Sequence, residues 1–336
     1  MHLTALVESP QHVCCRYRLA AYQSFFQSAG HSLVLQSLPQ QSWRRLRLLN
    51  RVQDIDGVIV QRKLLGSCPL SLLRRAARLL IFDFDDAVFL RDSYSVRGFH
   101  SLRRIHAFAA MVETADLVVA GNSYLADQAA RWTSPNRIHV VPTCLDPARY
   151  PLARHEAASA AELVWIGSSS TLRGIERIAP LLDRIGRHRP ELRLKLVCDR
   201  FIQLRHLPIV CCSWSEQSEA EDLAAADIGI SWVPDDPWSR GKCGLKILQY
   251  MAAGLPVVAN PVGVQKELVT DGETGFLVNT PAEWEEAIGR LAGDPHLRRR
   301  LGQAGRRRLE QDFSVSAGAA RWIELLGQAQ SWRQAA

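Results

Sequence analysis

The sequence predicts an α/β protein built as two doubly wound units in series. Three observations lead there. The chain has 336 residues, about twice the usual domain length of ~150. Short apolar runs alternate with longer segments of helical period, the pattern of parallel strands buried on both faces with helices between them. That pattern starts again at Glu162 and runs through the second half.

In the first half, strands are expected at His2–Val7, Ser32–Gln36, Gly57–Gln61, Leu79–Phe84, Leu117–Ala120 and Ile138–Pro142. Arg18–Gly30 reads as the first helix, with Leu19, Tyr22, Phe25 and Phe26 on one stripe and Gly30 as its stop. In the second half, Glu162–Gly167, Leu192–Cys198, Ile228–Trp232, Pro256–Ala259 and Gly275–Val278 read as strands. Asp146–Ala160, with two prolines and Ala/Ser-rich residues, has the composition of a linker. The expected domains are therefore 1–150 and 151–313, followed by a tail 314–336. In that tail, a helix over Ser314–Gln328 carries Ala319, Trp322, Ile323 and Leu326 as its apolar stripe.

Hydrophobic residues make up 47% and charged residues 22%, which excludes a disordered or collagen-like chain. The net charge of +7 suits an anionic partner without choosing one. Eight cysteines show no Cys-x-x-Cys spacing, so neither a zinc site nor a redox motif is expected, and a reducing, cytoplasmic compartment fits best. The opening MHLTALVESP lacks the basic start and apolar core of an export signal, and no apolar run is long enough to span a bilayer. Arginine-rich stretches at Trp43–Arg51, Arg74–Arg78, His296–Arg300 and Gly305–Leu309 read first as solvated helix faces. Trp43–Arg51 interleaves arginine with Trp43, Leu46, Leu48 and Leu49, which also suits peripheral contact with an anionic membrane at its inner face. No helix-turn-helix, zinc finger or RNA-binding aromatic motif accompanies the arginines, so no nucleic-acid partner is expected.

The most informative stretch runs from Ser231 to Val278. A strand leads into a polar loop, and Gly241-Lys242-Cys243-Gly244 opens a helix ending at Gly254. Strand, glycine-bearing loop and helix N-terminus together make an anion site, because the first turn has unpaired N–H groups and a positive dipole end. Lys242, Lys246, Gln249 and Tyr250 recur near the helical period and are expected along one polar face, opposite Leu245, Leu248, Met251 and Ala252.

The motifs LQYMAAGLPVVANPVG and DGETGFLV resemble the C-terminal end of the family-four retaining glycosyltransferases of the GT-B type, the group 1 glycosyltransferases. LVVAGNSYLA, VVPTCLD and LVWIGS extend the likeness upstream. The resemblance implies two Rossmann-like domains facing across a cleft, with the C-terminal helix packing back across them. The first domain would bind an acceptor, whether a saccharide, a lipid-linked or a small molecule. The second would bind a nucleotide-sugar donor of UDP or GDP type. The sugar would move with retention, without a metal ion or a cofactor, and the leaving phosphate would help to deprotonate the acceptor.

The chain departs from the family at the paired glutamates, where Gly241 and Gln249 stand, and Thr143-Cys144-Leu145-Asp146 replaces the Asn-Gly-Val-Asp turn. Lys246, Lys242 and Arg173 are then the expected cations for the developing diphosphate charge. Donor contacts are expected from Gly167, Ser168, Ser169, Trp214, Ser215, Arg240, Cys243, Gly244, Gln249 and Tyr250, with core packing as the other reading for Trp214. Acceptor contacts are expected from Arg16, Asp83, Asp85, Asp86 and Asn122. Plain alternatives are turn formation by Asp85 and Asp86, capping by Asn122 and simple solvation of Arg16.

Ile81–Val88 also looks like a dehalogenase-type phosphatase nucleophile or the metal-binding Asp-x-Asp of GT-A transferases, but the phosphatase's later elements are absent. An NAD-dependent oxidoreductase would need Gly-x-Gly-x-x-Gly after a strand, which this sequence lacks. Loss of both glutamates leaves an inactive GT-B binding protein as the main alternative.

Overall fold

The computed structural model describes residues 1–39, 41, 44, 55–156 and 161–335. These divide into two units. Unit 1 comprises Met1–Cys144, Asp236–Cys243 and Val315–Ala336; unit 2 comprises Leu145–Asp235 and Gly244–Ser314. The sequence-derived boundaries near 150 and 313 thus fall near 144 and 314. The eight-residue segment Asp236–Cys243, expected within the second domain, counts with unit 1.

Unit 1 holds β1 (His2–Val7), β2 (Ser32–Ser37), β3 (Gly57–Gln61), β4 (Leu80–Phe84), β5 (Leu117–Ala120) and β6 (Ile138–Val140), all parallel, in the order β2-β1-β3-β4-β5-β6. Unit 2 holds β7 (Glu162–Ile166), β8 (Arg193–Cys198), β9 (Ile209–Ser213), β10 (Ile228–Ser231), β11 (Val257–Ala259) and β12 (Gly275–Leu277). Their order is β12-β11-β10-β7-β8-β9, again all parallel. Each sheet reverses its strand order once, between β1 and β3 and between β7 and β10. Ligands of open parallel sheets collect beyond the carboxyl ends of strands at such a reversal.

The central strands β3, β4, β5, β7 and β10 are buried along their whole length, which explains their uninterrupted apolar runs. The strand β9 was not among those expected. It lies at the sheet edge with alternating partial exposure, so its run IVCCS carries a weaker apolar signal.

The single helix expected over Arg18–Gly30 is instead three pieces: Val13–Arg18, a 3-10 turn Ala20–Tyr22 and Gln23–Ser28. The break follows from burial, since Arg18 and Leu19 turn inward together. The final helix Val315–Ala335 is longer than expected. It buries Val315, Ala319, Trp322, Leu325, Leu326 and Ala329 with Tyr22 and Phe26 in one core of unit 1. Edge-to-face packing of Phe26 on Trp322, with centroids 6.2 Å apart, fixes the contact.

The linker reading of Asp146–Ala160 is corrected over 146–156, and 157–160 lies outside the described residues. His155 is buried with Nε2 2.8 Å from the Gly254 carbonyl. Arg298, only 2% exposed, donates to the carbonyls of Leu291 and Glu156 and pairs with Asp227 at 3.3 Å. The solvated reading of His296–Arg300 therefore fails at Arg298, which ties the incoming chain to unit 2. Arg306 and Arg74 also depart from it: Arg306 donates to the Tyr150 carbonyl, and Arg74 pairs with Asp116. The Trp43–Arg51 stretch lies, but for Arg44, outside the described residues. Among the described residues no helix is long and apolar enough to cross a membrane.

Candidate functional site

The carboxyl end of the unit 2 sheet is assembled around two aromatic side chains. β7 and β10 pair at Ile228 with Leu163 and at Gly229 with Val164. Beyond that pairing, the Tyr250 hydroxyl accepts the Ile166 N–H at 3.2 Å and donates to the Ile230 carbonyl at 3.1 Å. Tyr250 is fully buried, and a Cβ at Gly229 would come within 2.4 Å of its ring, so only glycine lets the ring pass. Tyr250 is thus a wedge between the central strands, not the exposed donor contact expected.

The second aromatic is Trp165 on β7, 1% exposed. Gly167 backs onto its ring edge, where an added Cβ would sit 2.5 Å from the indole. The Lys246 ammonium lies 5.0 Å from the centroid of the same ring. Gly167, at the end of β7, and Lys246, in the first turn of the helix Leu245–Ala252, are therefore gathered on one indole. Gly244 is the N-cap of that helix with φ 68, a left-handed conformation that favours glycine.

The polar face expected on this helix does not exist. Lys242 precedes the helix, and every residue from Ile247 to Ala252 is buried, Gln249 and Tyr250 included; Leu245, expected in the apolar stripe, is half-buried. Gln249 donates to the Tyr150 hydroxyl at 3.3 Å, which in turn donates to Glu219 at 3.2 Å. Trp214 donates its indole N–H to the same carboxylate at 2.9 Å while 42% of it stays exposed, so it is no core residue. Ser215 turns back to Ser218, accepting its N–H at 3.1 Å. Beside this relay lies a cavity of about 400 Å³ lined by Arg149, Tyr150, Glu216, Gln217, Glu219 and Ala220.

The helix Ser169–Arg177 starts beside Gly167. Its Ser168 N–H donates to Thr171 Oγ1 at 3.2 Å, and its Ser169 N–H donates to Asp199 Oδ1 at 2.6 Å. Hydrogen bonding from Ser169 holds the exposed Asp199 carboxyl below the usual aspartate range. A carboxylate thus sits on an N–H where a phosphate was expected. Arg173 is exposed one turn along the helix.

Unit 1 finishes its sheet differently. Asp83, on β4, is fully buried against Arg18, with Arg18 Nη2 at 2.5 Å and Nε at 3.1 Å, and Gln61 donates to it at 3.4 Å. Arg18 also donates to the Val141 carbonyl at 2.9 Å. Burial pushes the Asp83 carboxyl above the ordinary aspartate range, and the guanidinium opposes that shift. Asp83 is therefore enclosed, which corrects its expected place among acceptor contacts.

Arg62 pairs with Asp86 at 2.9 Å and with Asp85 at 3.4 Å. Lys242, expected as a donor cation, stacks 3.5 Å above the Trp238 ring in unit 1; burial lowers its pKa and nearby Asp86 opposes the shift. Arg16 lies over the Tyr17 ring and donates to its hydroxyl at 2.6 Å. Asn122 caps the helix Ser123–Ala129 through Oδ1 and donates to the Lys242 carbonyl at 2.9 Å. Arg240 and Cys243 belong to the same segment as Lys242. Among the described residues no group of three acidic, histidine or cysteine side chains could hold a metal ion.

Sequence reasoning missed Trp165, Asp199, Tyr150 and Glu219, and did not foresee that Arg18 pairs with Asp83. A positional signal existed for Asp199, the first charged residue after the apolar run of β8, and for Trp165, two residues before a glycine at a strand end.

Comparison with known proteins adds a family to this geometry. Residues 155–294 match the model of the glycosyl transferases group 1. An alpha-maltose-1-phosphate synthase of Mycolicibacterium smegmatis is 28% identical over 257 residues, which cover 64% of this chain and 63% of that protein. The chain therefore spans less than two thirds of the length of that curated relative. Among solved structures, sucrose-phosphate synthase from Thermosynechococcus elongatus superimposes with a TM-score of 0.77 at 17% identity, covering 98% of this chain and 99% of that one. Anabaena Alr3699/HepE in complex with UDP and glucose gives 0.71 at 16% identity, covering 98% and 100%.

Proposed function

We propose that the chain, which matches the model of the glycosyl transferases group 1 over residues 155–294 and has the GT-B fold, is a group 1 glycosyltransferase that moves a sugar from a nucleoside-diphosphate sugar to an acceptor. The observation that carries the reading is the gathering of Gly167 and Lys246 on the Trp165 ring at the strand reversal of unit 2. In this reading unit 2 takes the donor and unit 1 the acceptor. Negative charge grows on the diphosphate as the glycosyl bond breaks, and a preorganised ammonium beside helix N-terminal N–H groups stabilises it. Lys246 supplies the cation, Arg173 a second one from the neighbouring helix, and the first N–H groups after Gly244 and Ser168 the remaining donors. No metal ion takes part. The acceptor hydroxyl attacks from the face on which the diphosphate departs and gives its proton to that leaving phosphate, so the sugar is transferred with retention and no protein base is required. A UDP- or GDP-type donor fits this reading, and the UDP in the Anabaena neighbour supports it. Arg16, Asp85 and Asp86 are the acceptor-side candidates with side chains near the unit 1 edge.

The test is a thermal-shift series with UDP, GDP, ADP and NAD, followed by transfer assays on the wild type and Lys246→Ala in the presence of a chelator. A ligand at ~100 times its dissociation constant adds roughly 2.7 kcal/mol to stability. Lys246→Ala is expected to fold normally and to lose about 2–4 kcal/mol of transition-state stabilisation. Near-normal turnover in that variant refutes the assignment. Nucleotide binding without turnover in the wild type favours the second reading, a GT-B binding protein, to which the enclosure of Gln249 and the bare Gly241 point.

A further inference from the structure

We propose that Asn122 is a positioning residue that seats the segment Asp236–Cys243 and thereby sets the turn at Gly244 from which the phosphate-binding helix starts. The proposal rests on the glycosyl-transfer reading above. The segment comes from the second half of the sequence yet completes unit 1, where Trp238 and Cys243 pack on its core. It is a preformed turn: Asp236 accepts the Ser239 N–H at 2.7 Å, and the Lys242 N–H donates to the Ser239 carbonyl at 3.1 Å. Four contacts hold it. Ser239 Oγ lies 3.1 Å from Ser93 Oγ. A Cβ at Gly241 would come within 2.8 Å of Ala87, and one at Gly121 within 2.4 Å of Cys243 Sγ, so neither position has room for a side chain. The fourth contact is the Asn122 amide, which donates to the Lys242 carbonyl at 2.9 Å and reaches the Arg240 carbonyl at 3.5 Å.

Asn122 does two jobs that need opposite chemistry. Its Oδ1 accepts the Leu125 N–H at 2.8 Å as the helix cap, and its Nδ2 donates to the segment. Aspartate or serine can cap a helix equally well, but neither offers a donor and an acceptor in this planar arrangement. The residue after Cys243 is the left-handed Gly244, which caps the helix Leu245–Ala252. With Lys242 and Cys243 anchored, only the Gly244 torsions separate the Asn122 hold from the first N–H groups of that helix.

Asn122→Asp and Asn122→Ser separate the two jobs. Both keep the cap; the first sets a carboxylate against two carbonyl oxygens, and the second removes the donor. The measurements are melting temperature, peptide-resolved alkylation of Cys243 with the exposed Cys68 and Cys211 as references, and the dissociation constant for UDP or GDP, whichever the wild type binds. A lower melting temperature is expected in Asn122→Asp, where a buried carboxylate faces carbonyl oxygens, and nearly unchanged melting in Asn122→Ser, with Cys243 alkylation about tenfold faster in the first and a smaller change in the same direction in the second. Nucleotide affinity should fall in the same order, Asn122→Asp before Asn122→Ser, since an apparent dissociation constant scales inversely with the fraction of molecules in which the segment is seated. A residue that only caps would change neither alkylation nor affinity. Unchanged Cys243 alkylation, or faster alkylation with unchanged affinity, overturns the proposal. If the wild type binds no nucleotide, the glycosyl-transfer reading fails and the link to the donor falls with it, while the alkylation result still decides whether Asn122 holds the segment.

Discussion

The carboxyl edges of the two sheets occupy the same place in the same architecture and are finished with different chemistry. In unit 1 the charges answer one another: Arg18 with Asp83, and Arg62 with Asp85 and Asp86. In unit 2 a lysine rests over an indole, and a helix N–H is given to an exposed carboxylate on the next strand's loop. A buried ion pair is expensive to open, because removing one partner strands the other in a low dielectric. An exposed carboxylate on an N–H is cheap to displace, because water takes over its solvation. The Arg18–Asp83 pair of the first edge is therefore built to stay as it is, and the second edge is built to exchange one anion for another.

The largest expected effect probes the closed edge. Asp83→Ala should destabilise the protein by about 3–5 kcal/mol, since Arg18 would be left buried without its carboxylate. Replacing both partners, as Arg18→Met with Asp83→Leu, should recover most of that loss, because an apolar pair of similar volume removes the desolvation penalty along with the attraction. Urea unfolding of the two variants measures both numbers. A loss below about 1 kcal/mol in Asp83→Ala is the value of an exposed pair and would erase the contrast between the two edges.

That contrast also marks what the sequence could and could not reveal. Strands such as Gly57–Gln61 and Glu162–Ile166 were legible because full burial in a parallel sheet demands an uninterrupted apolar run. Gly244 and Gly254 announced the ends of the helix between them, and both have positive φ. The side chains were harder. Helical periodicity placed Lys242 on a helix with Lys246, but periodicity assumes an unbroken helix, and Gly244 breaks it and sends the preceding turn into unit 1. Tyr250 read as polar because its hydroxyl is, yet that hydroxyl is consumed by the backbone of β7 and β10. Arg18 lies in Arg16-Tyr17-Arg18, a run that reads equally as an anion contact and as solvated arginines, because its partner Asp83 is 65 positions away and nothing local signals the pair. Local motifs were visible; partners brought together by the sheet were not.

A smaller effect sharpens the comparison from the exchangeable side. Asp199→Ala should tighten nucleotide binding by about 1 kcal/mol, roughly fivefold, because the diphosphate would no longer compete with a resident carboxylate for the Ser169 N–H; an anion at a helix start is worth about that much. The matched change Asp85→Ala, at the closed edge, should leave nucleotide affinity where it was. Titration of both variants with UDP or GDP tests the pair. Equal responses would show that the two edges do not differ in the way their geometry indicates.

The smallest effect concerns pH and the interior of unit 2. His155 is buried with Nε2 against the Gly254 carbonyl, and its Nδ1 has no hydrogen-bond partner among the described residues. Burial lowers its pKa below the ordinary value of 6.5, with the Gly254 carbonyl opposing the shift. The sign follows from proton counting. Just below pH 6.5 the unfolded chain takes up a proton that the folded chain refuses, so stability is fully present above that pH and is lost as pH falls through the folded value. One proton limits the slope to ~1.4 kcal/mol per pH unit. His155→Gln keeps a donor for Gly254 but has nothing to titrate, so the difference in stability between wild type and variant should shrink as the solution is acidified from neutrality. His31 and His139 in unit 1, also lowered by burial, contribute equally to both proteins and cancel. A difference that stays constant between pH 7 and pH 5 would mean that His155 remains hydrated enough to titrate normally, and that the 146–156 segment is less firmly packed on unit 2 than its hydrogen bonds to Gly254 and Arg298 require.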